Sequence, residues 1–350
     1  MKILVLGPSY KKSKGGMATV IAGMKKDEDF VTTNTVSFRE TYIDGHFLVR
    51  LFFSIYAFLL FIPMVHKFDL FHIHMASYGS TYRKMCYMQV IRLFKKNYIV
   101  HMHGAGFMVF YHKLNEAKKS KVLNLLNHAS YVVALSAEWK RNFEETLGLT
   151  NVVVVQNGVA THKKDVLQHL HTEHNNAFLF LGRLGQRKGT YVLIDALYNL
   201  VKSGYSPKMY LAGDGEIEEV QRYIDARQLG AYVEIVGWID DKMKRELLSK
   251  VNTMVLPSRH EGLPMAILES MAAGKLIIST TVGGIPSLVS KENGFLIEPD
   301  DIEALTAVLK EVMVGNVNFQ KVSEANVEKI EAQYSSHASH TKLSNLYHSI

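Results

Sequence analysis

Residues 177–190 read AFLFLGRLGQRKGT: five apolar residues, a loop carrying Arg183 and Lys188, then Gly189 and a helix opening at Thr190. An apolar run this short, bounded by turn residues, suits a strand covered on both faces. Residues 253–269, TMVLPSRHEGLPMAILE, repeat the plan. Pro264 has the fixed φ that suits a first helical position, which leaves Glu261 in the loop and Glu269 about a turn and a half into the helix.

The same alternation runs outward in both directions. Strands are expected at 2–6, 69–74, 98–103, 131–135 and 151–156, then at 177–182, 208–212, 232–236, 253–257, 275–279 and 294–297. Helix-length amphipathic segments separate them. Strand and helix in strict alternation mean α/β architecture with two doubly wound, Rossmann-like domains, and 350 residues suffice for two. The expected division is 1–165, 166–330 and a terminal helix at 331–350 that packs back on the first domain. The polar, His-rich stretch 159–176 reads as the linker.

With 47% hydrophobic and 21% charged residues, the chain is neither disordered nor a multi-span membrane protein. A single cysteine, Cys86, excludes a disulfide framework and a thiolate metal cage, and fits a reducing cytosol. The opening MKILVLGPSY is expected to be a first strand entering a loop rather than a secretion signal. The formal charge of +7 is uneven: Lys and Arg outnumber Asp and Glu twenty to ten in residues 1–160, and fall behind them, twenty to twenty-three, in the rest. A basic first half suggests an anionic partner there, either nucleic acid or an anionic membrane surface.

Residues 47–65, FLVRLFFSIYAFLLFIPMV, approach the length that spans a bilayer. Arg50 interrupts the run, Pro63 ends it, and a crossing would separate strands 2–6 and 69–74, which must share a sheet. Two readings stay open, a buried crossover helix and a helix lying in a membrane interface. Arg50, Lys67, Lys11-Lys12, Lys25-Lys26 and Lys95-Lys96 suit anionic lipid. No metal is expected. Asp27-Glu28-Asp29 reads as exposed surface, His162, His169, His171 and His174 as solvated linker, and the alternating pairs His72/His74 and His101/His103 each offer two ligands without a third.

Gly15-Gly16 follows the first strand and opens a helix, where backbone N–H groups can approach an oxyanion. It is not the three-glycine dinucleotide fingerprint. Arg183 and Lys188 on one loop form a cationic clamp suited to a diphosphate. Gly213-Asp214-Gly215 ends another strand in a tight turn. With His103-Gly104, Asn157-Gly158-Val159 and Gly283-Gly284-Ile285-Pro286, these pieces stand in an order that resembles the retaining, GT-B-fold glycosyltransferases of family 4, over nearly the whole chain.

The resemblance implies a first domain that binds the acceptor and a second that binds a nucleotide sugar, a UDP-sugar before a GDP-sugar. Arg183 and Lys188 would neutralise the donor diphosphate, with Gly15 and Gly16 supporting it. Glu269 would accept hydrogen bonds from the ribose, while Glu261, with Gly262, Leu263 and Pro264, would hold the hexose. Gly182 and Gly213 would complete the donor pocket, and His103 would reach the sugar near its C6 hydroxyl. Trp238 either lies near the base or packs in the core. It further implies a metal-independent hexosyltransferase without cofactor, peripheral at the cytoplasmic membrane face. Such an enzyme acts on a polyprenyl-diphosphate-linked acceptor in capsule, exopolysaccharide or lipopolysaccharide synthesis. Ala105-Gly106-Phe107 lacks the acid often found after the His-Gly pair, Leu263 replaces a frequent aromatic, and Met17-Ala18-Thr19 lacks an acid after the Gly pair. These departures bear on the sugar rather than on the reaction. A nucleotide-sugar 2-epimerase of similar fold and a basic nucleic-acid-binding module are the competing readings. The Arg183/Lys188 and Glu261/Glu269 arrangement suits the first poorly, and scattered basic residues suit the second poorly.

Overall fold

The computed structural model describes residues 1–161 and 175–350. The four linker histidines fall outside the described residues. The chain folds into two compact units, Met1–Gly158 with Ser336–Ile350, and Val159–Ser335. The division therefore lies at 158/159 and 335/336 rather than at 165/166 and 330/331. Val159 pairs in a parallel bridge with Ser335, so pairing carries the second unit a few residues further at each end than the change in composition suggested.

In the first unit, β1 (Ile3–Pro8) leads through α1 (Gly16–Lys26) and α2 (Glu28–Thr33) to β2 (Val36–Tyr42). Then α3 (Phe47–Phe61) precedes β3 (Leu70–Met75), α4 (Gly79–Leu93) and β4 (Asn97–Met102). The strands β5 (Tyr131–Ala134) and β6 (Val152–Val154) complete a parallel sheet in the order β2-β1-β3-β4-β5-β6. The sequence reading did not include β2. Its VSFRETY pattern mixes charge into the strand because β2 is an edge, paired only with β1 from Ile3↔Val36 onward. Fully buried β3 and nearly fully buried β4 carry the continuous apolar run that marks a central strand.

The second unit has β7 (Ala177–Leu181), β8 (Lys208–Ala212), β9 (Val233–Gly237), β10 (Thr253–Leu256), β11 (Leu276–Thr280) and β12 (Gly294–Ile297). They form a second six-stranded parallel sheet in the order β12-β11-β10-β7-β8-β9. The order turns back between β7 and β10, and the carboxyl ends of the strands at such a switch point open a crevice.

The buried-crossover reading of 47–65 does not hold. Only Ala57 and Phe61 of α3 are buried, whereas Phe47, Phe52, Tyr56 and Leu59 are each about 60% exposed or more. Spanning is excluded too, since β1 and β3 pair directly, Ile3 opposite Leu70.

The last helix, Ser336–His348, belongs to the first unit. Tyr347 is fully buried and its hydroxyl lies 2.6 Å from His72 Nδ1. Asp27 is not open surface: one carboxylate oxygen caps α2 by accepting from the Phe30 N–H at 2.9 Å, and the other lies 2.6 Å from His340 Nδ1. Burial pushes Asp27 up, but the bonds from His340 and Phe30 outweigh it and hold the carboxyl below its ordinary value.

Candidate active site

Four loops at the carboxyl ends of β7, β8, β10 and β11 build the site in the second unit. Glycines let them close on one another. A side chain at Gly213 would sit 1.8 Å from the Gly182 carbonyl oxygen. The N–H groups of both are spent inside the protein, on Ala212 and Gly237 carbonyls at 3.0 and 2.8 Å. These two glycines therefore seat the loop that carries Arg183. Gly283 has φ +57°, and a Cβ there would lie 2.0 Å from the Glu261 carbonyl oxygen. The adjacent Gly284 N–H donates to the Gly262 carbonyl at 2.7 Å.

Across the switch point the Arg259 N–H donates to the Arg187 carbonyl at 2.9 Å, stitching the β7 and β10 loops. Lys188 Nζ, from the first, donates to Glu261 Oε1, from the second. The Ser258 hydroxyl donates to the same oxygen at 2.7 Å. The Lys188 and Glu261 side chains are only 13% and 6% exposed, so each charge has the other as a partner in place of the water that burial removes. Arg183 is different: its side chain is 65% exposed and lies 3.5 Å from Asp214. The expected two-cation clamp is thus one buried ammonium and one solvated guanidinium.

Pro264 is the cap residue of the following helix, Met265–Ala272, rather than its first residue. Gly262, Leu263 and Pro264 are buried in the loop before it. Glu269 points to Lys244, 3.0 Å away on the helix Asp241–Ser249. Burial pushes the Glu269 carboxyl up, and the ammonium opposes the shift without cancelling it. Lys244 also meets Asp241 at 3.2 Å, and the two carboxylates raise it against its own burial. The sequence reading missed Lys244 and Ser258. An i,i+3 Asp241–Lys244 pair was legible, but it reads as an ordinary surface pair. Trp238 is 51% exposed, which removes the core reading.

In the first unit Gly15, at φ +103°, precedes α1 with no acid in the first turn. His103 follows β4, and its Nε2 lies 2.8 Å from His74 Nδ1. The sequence reading placed two separate histidine pairs. Parallel pairing of β3 with β4 sets His74 beside His101, so four imidazoles stack in one group, with His72 Nε2 3.1 Å from His101 Nδ1. Ring nitrogens of His72, His74 and His101 fall within 4.8 Å of one another, a set that can hold a metal ion. His74 Nε2 and His101 Nε2 are buried without a hydrogen-bond partner. Burial pushes His72 and His103 down to about 3, with the charge of His103 adding to the shift at His72.

Residues 15–163 match the family described as Glycosyltransferase Family 4, and residues 175–314 the family described as Glycosyl transferases group 1. The amylovoran biosynthesis glycosyltransferase AmsK of Erwinia amylovora is 24% identical over 288 residues, which take in 79% of this chain and 69% of AmsK. The lipopolysaccharide core biosynthesis glycosyltransferase LpsE of Rhizobium meliloti is 32% identical over 163 residues, 45% of either chain. The chain thus spans less than half of LpsE and about two thirds of AmsK. The structure of Anabaena HepE in complex with UDP-glucose matches with a TM-score of 0.76 over 100% of both chains at 19% identity. Sucrose-phosphate synthase from Thermosynechococcus elongatus matches with a TM-score of 0.79, covering 100% of this chain and 99% of that one, at 18% identity. These likenesses give the fold, GT-B.

Proposed function

Built from a family 4 domain followed by a group 1 domain, the chain belongs to the glycosyltransferases of family 4, and from that premise we propose that it transfers a hexose or N-acetylhexosamine from a UDP-sugar to a lipid-linked glycan acceptor. The product is a growing bacterial surface polysaccharide, made with retention at the anomeric carbon. The observation that carries the reading is the buried Lys188–Glu261 pair at the switch point of the second sheet. Names of relatives such as AmsK and LpsE, and the UDP-glucose held by HepE, support the polysaccharide setting and the donor class.

An ammonium has three donors, of which Glu261 takes one. Lys188 is therefore held by its buried partner while a second N–H turns to a diphosphate oxygen. Negative charge grows on that oxygen as the bond to the anomeric carbon breaks, and a fixed cation in a water-poor crevice stabilises it most there. Solvated Arg183 assists from the rim. Glu261 also accepts from a hexose hydroxyl, and Glu269 from the ribose. The acceptor oxygen bonds the anomeric carbon on the face from which the diphosphate departs. The breaking bond's electron pair leaves with the diphosphate, and the acceptor's proton passes to a diphosphate oxygen. No protein nucleophile or base takes part, which suits a Glu261 carboxylate already engaged by Lys188 and Ser258. Fixed cations do the neutralising, so the transfer needs no metal.

The acceptor is presented at the cytoplasmic face of the cell membrane, where the exposed apolar face of α3 lies in the lipid. The excess of basic residues in 1–160 suits an anionic surface. A donor screen tests the whole reading: thermal shift and donor hydrolysis with UDP-glucose, UDP-galactose, UDP-GlcNAc and GDP-mannose. One UDP-sugar should raise the melting temperature and turn over, and Glu269→Ala should abolish both. No response to any of the four overturns the reading, and a covalent glycosyl-enzyme overturns the mechanism.

A further inference from the structure

Between α3, α4 and the end of β2 lies a cavity of about 400 Å³ whose chemistry is divided. Leu51, Ile55 and Phe58 of α3 give it an apolar wall, and Arg50 and Arg83 bring two guanidinium groups to it. Neither arginine has a carboxylate partner among the described residues. Arg83 stacks over the Tyr42 ring, 4.4 Å from its centroid, and Arg50 Nη1 donates to the Tyr42 hydroxyl at 3.4 Å. Arg83 Nε is buried with no hydrogen-bond partner, and so is the hydroxyl of Tyr87, another residue of the lining. Burial and the charge of Arg50 push Arg83 below its ordinary value, against the opposing effect of Tyr42 and Tyr87.

Two like charges converging on one pocket, with two buried donors of α4 left unused, are costly unless an anion joins them. Guanidinium forks match a phosphate bidentately. The apolar wall is continuous with α3, whose outer residues Phe52, Tyr56 and Leu59 are exposed. A free phosphate would satisfy the arginines and leave that wall bare.

We propose that this cavity binds the phosphate-bearing head of a lipid, Arg50 and Arg83 gripping the phosphate and the wall of α3 taking the first part of the chain. The proposal rests on the reading of α3 as a membrane-facing helix and goes beyond it by naming a ligand pocket and its residues. Lys188, Glu261 and Glu269 belong to the other unit and are not among the residues that line it.

Cys86 lines the cavity, is exposed, and is the only cysteine in the chain, so its labelling rate reports occupancy. The test is maleimide labelling of the full chain with farnesyl diphosphate, inorganic pyrophosphate or farnesol, for the parent and for Arg50→Gln and Arg83→Gln. Farnesyl diphosphate should slow labelling at least tenfold at saturation, pyrophosphate and farnesol less than twofold, and each arginine variant should lose the protection. Melting curves of the variants should match or exceed the parent, because each removes an unneutralised charge. Equal protection by pyrophosphate means a simple anion site, equal protection by farnesol means a greasy slot, and protection by none means no site; each overturns the proposal. Co-sedimentation of Phe52→Glu with vesicles containing phosphatidylglycerol reads the membrane-facing helix separately. Loss of labelling protection with vesicle binding intact leaves that reading standing.

Discussion

Replacing Lys188 by alanine should destabilise the second unit and abolish turnover for two separable reasons. Lys188 and Glu261 are 13% and 6% exposed, so deleting the ammonium strands a carboxylate where water cannot reach it. Breaking a buried pair costs about 3–5 kcal/mol. The Ser258 hydroxyl still donates to Glu261 Oε1 at 2.7 Å, which places the expected loss at the lower end, about 3 kcal/mol. For a unit of 150–250 residues that lowers the melting transition by roughly 6–12 °C. The double variant Lys188→Met, Glu261→Gln removes both charges together and should return to within about 1 kcal/mol of the parent, since neutral replacements of similar volume are well tolerated. Turnover should not return with it. Losing a fixed donor at a site of developing charge lowers kcat by about 10²–10³, and the stable double variant should show that loss in a donor-hydrolysis or transfer assay. Scanning calorimetry and initial rates on the parent and the two variants separate the effects. A Lys188→Ala protein melting within 1 °C of the parent would refute the burial argument. A stable double variant with parental kcat would refute the role of the pair in the chemistry.

Three further outcomes follow from the same geometry. Burial holds His72 and His103 near 3, against about 6.5 for an exposed imidazole. Below pH 6.5 the unfolded chain therefore binds more protons, and the first unit should lose stability as pH falls from 6.5 toward 3, by up to about 1.4 kcal/mol per pH unit for each histidine. Urea midpoints at pH 7.5, 6 and 5 check this, and a flat profile contradicts it. Gly283→Ala faces both φ +57° and a carbonyl oxygen 2.0 Å away. It should displace the Glu261 loop and cost roughly 1–3 kcal/mol, seen as a lower melting temperature with a raised KM for donor. Dialysis against excess EDTA should leave the transfer rate unchanged, because Lys188 does the neutralising. A rate lost under chelation and restored by zinc would move attention to His72, His74 and His101.

What the sequence made legible is what each element is; what it hid is which distant element covers it. Eleven strands were readable because central parallel strands must be apolar on both faces, while Arg39 and Glu40 concealed β2, an edge that tolerates charge. Lys188, Glu261 and Glu269 stood out because each sits a fixed number of residues from a strand end, and the parallel sheet then gathers all the strand ends on one side. Lys244 did not, because its partner Glu269 lies 25 residues on and meets it only once both helices are packed.

The histidines show the point most sharply. Alternation along one strand predicts two side chains on a face, and two ligands are too few for a metal. Register between β3 and β4 doubles that number, and register is set by pairing rather than by either strand alone. The fifth member, Tyr347, arrives 275 residues after His72, on a helix whose apolar signal is modest because Ser339 and His340 share its inward face with Leu343 and Tyr347. A polar helix is normally a poor candidate for burial. Here Ser339, His340 and Tyr347 each find a hydrogen-bond partner in the first unit, Gln156, Asp27 and His72 respectively, so the helix is held by specific bonds where an apolar stripe would ordinarily hold it. The same logic explains α3 in reverse. Its stripe is apolar almost all round, no element of its own unit covers the outer face, and hydrophobicity by itself says only that something must.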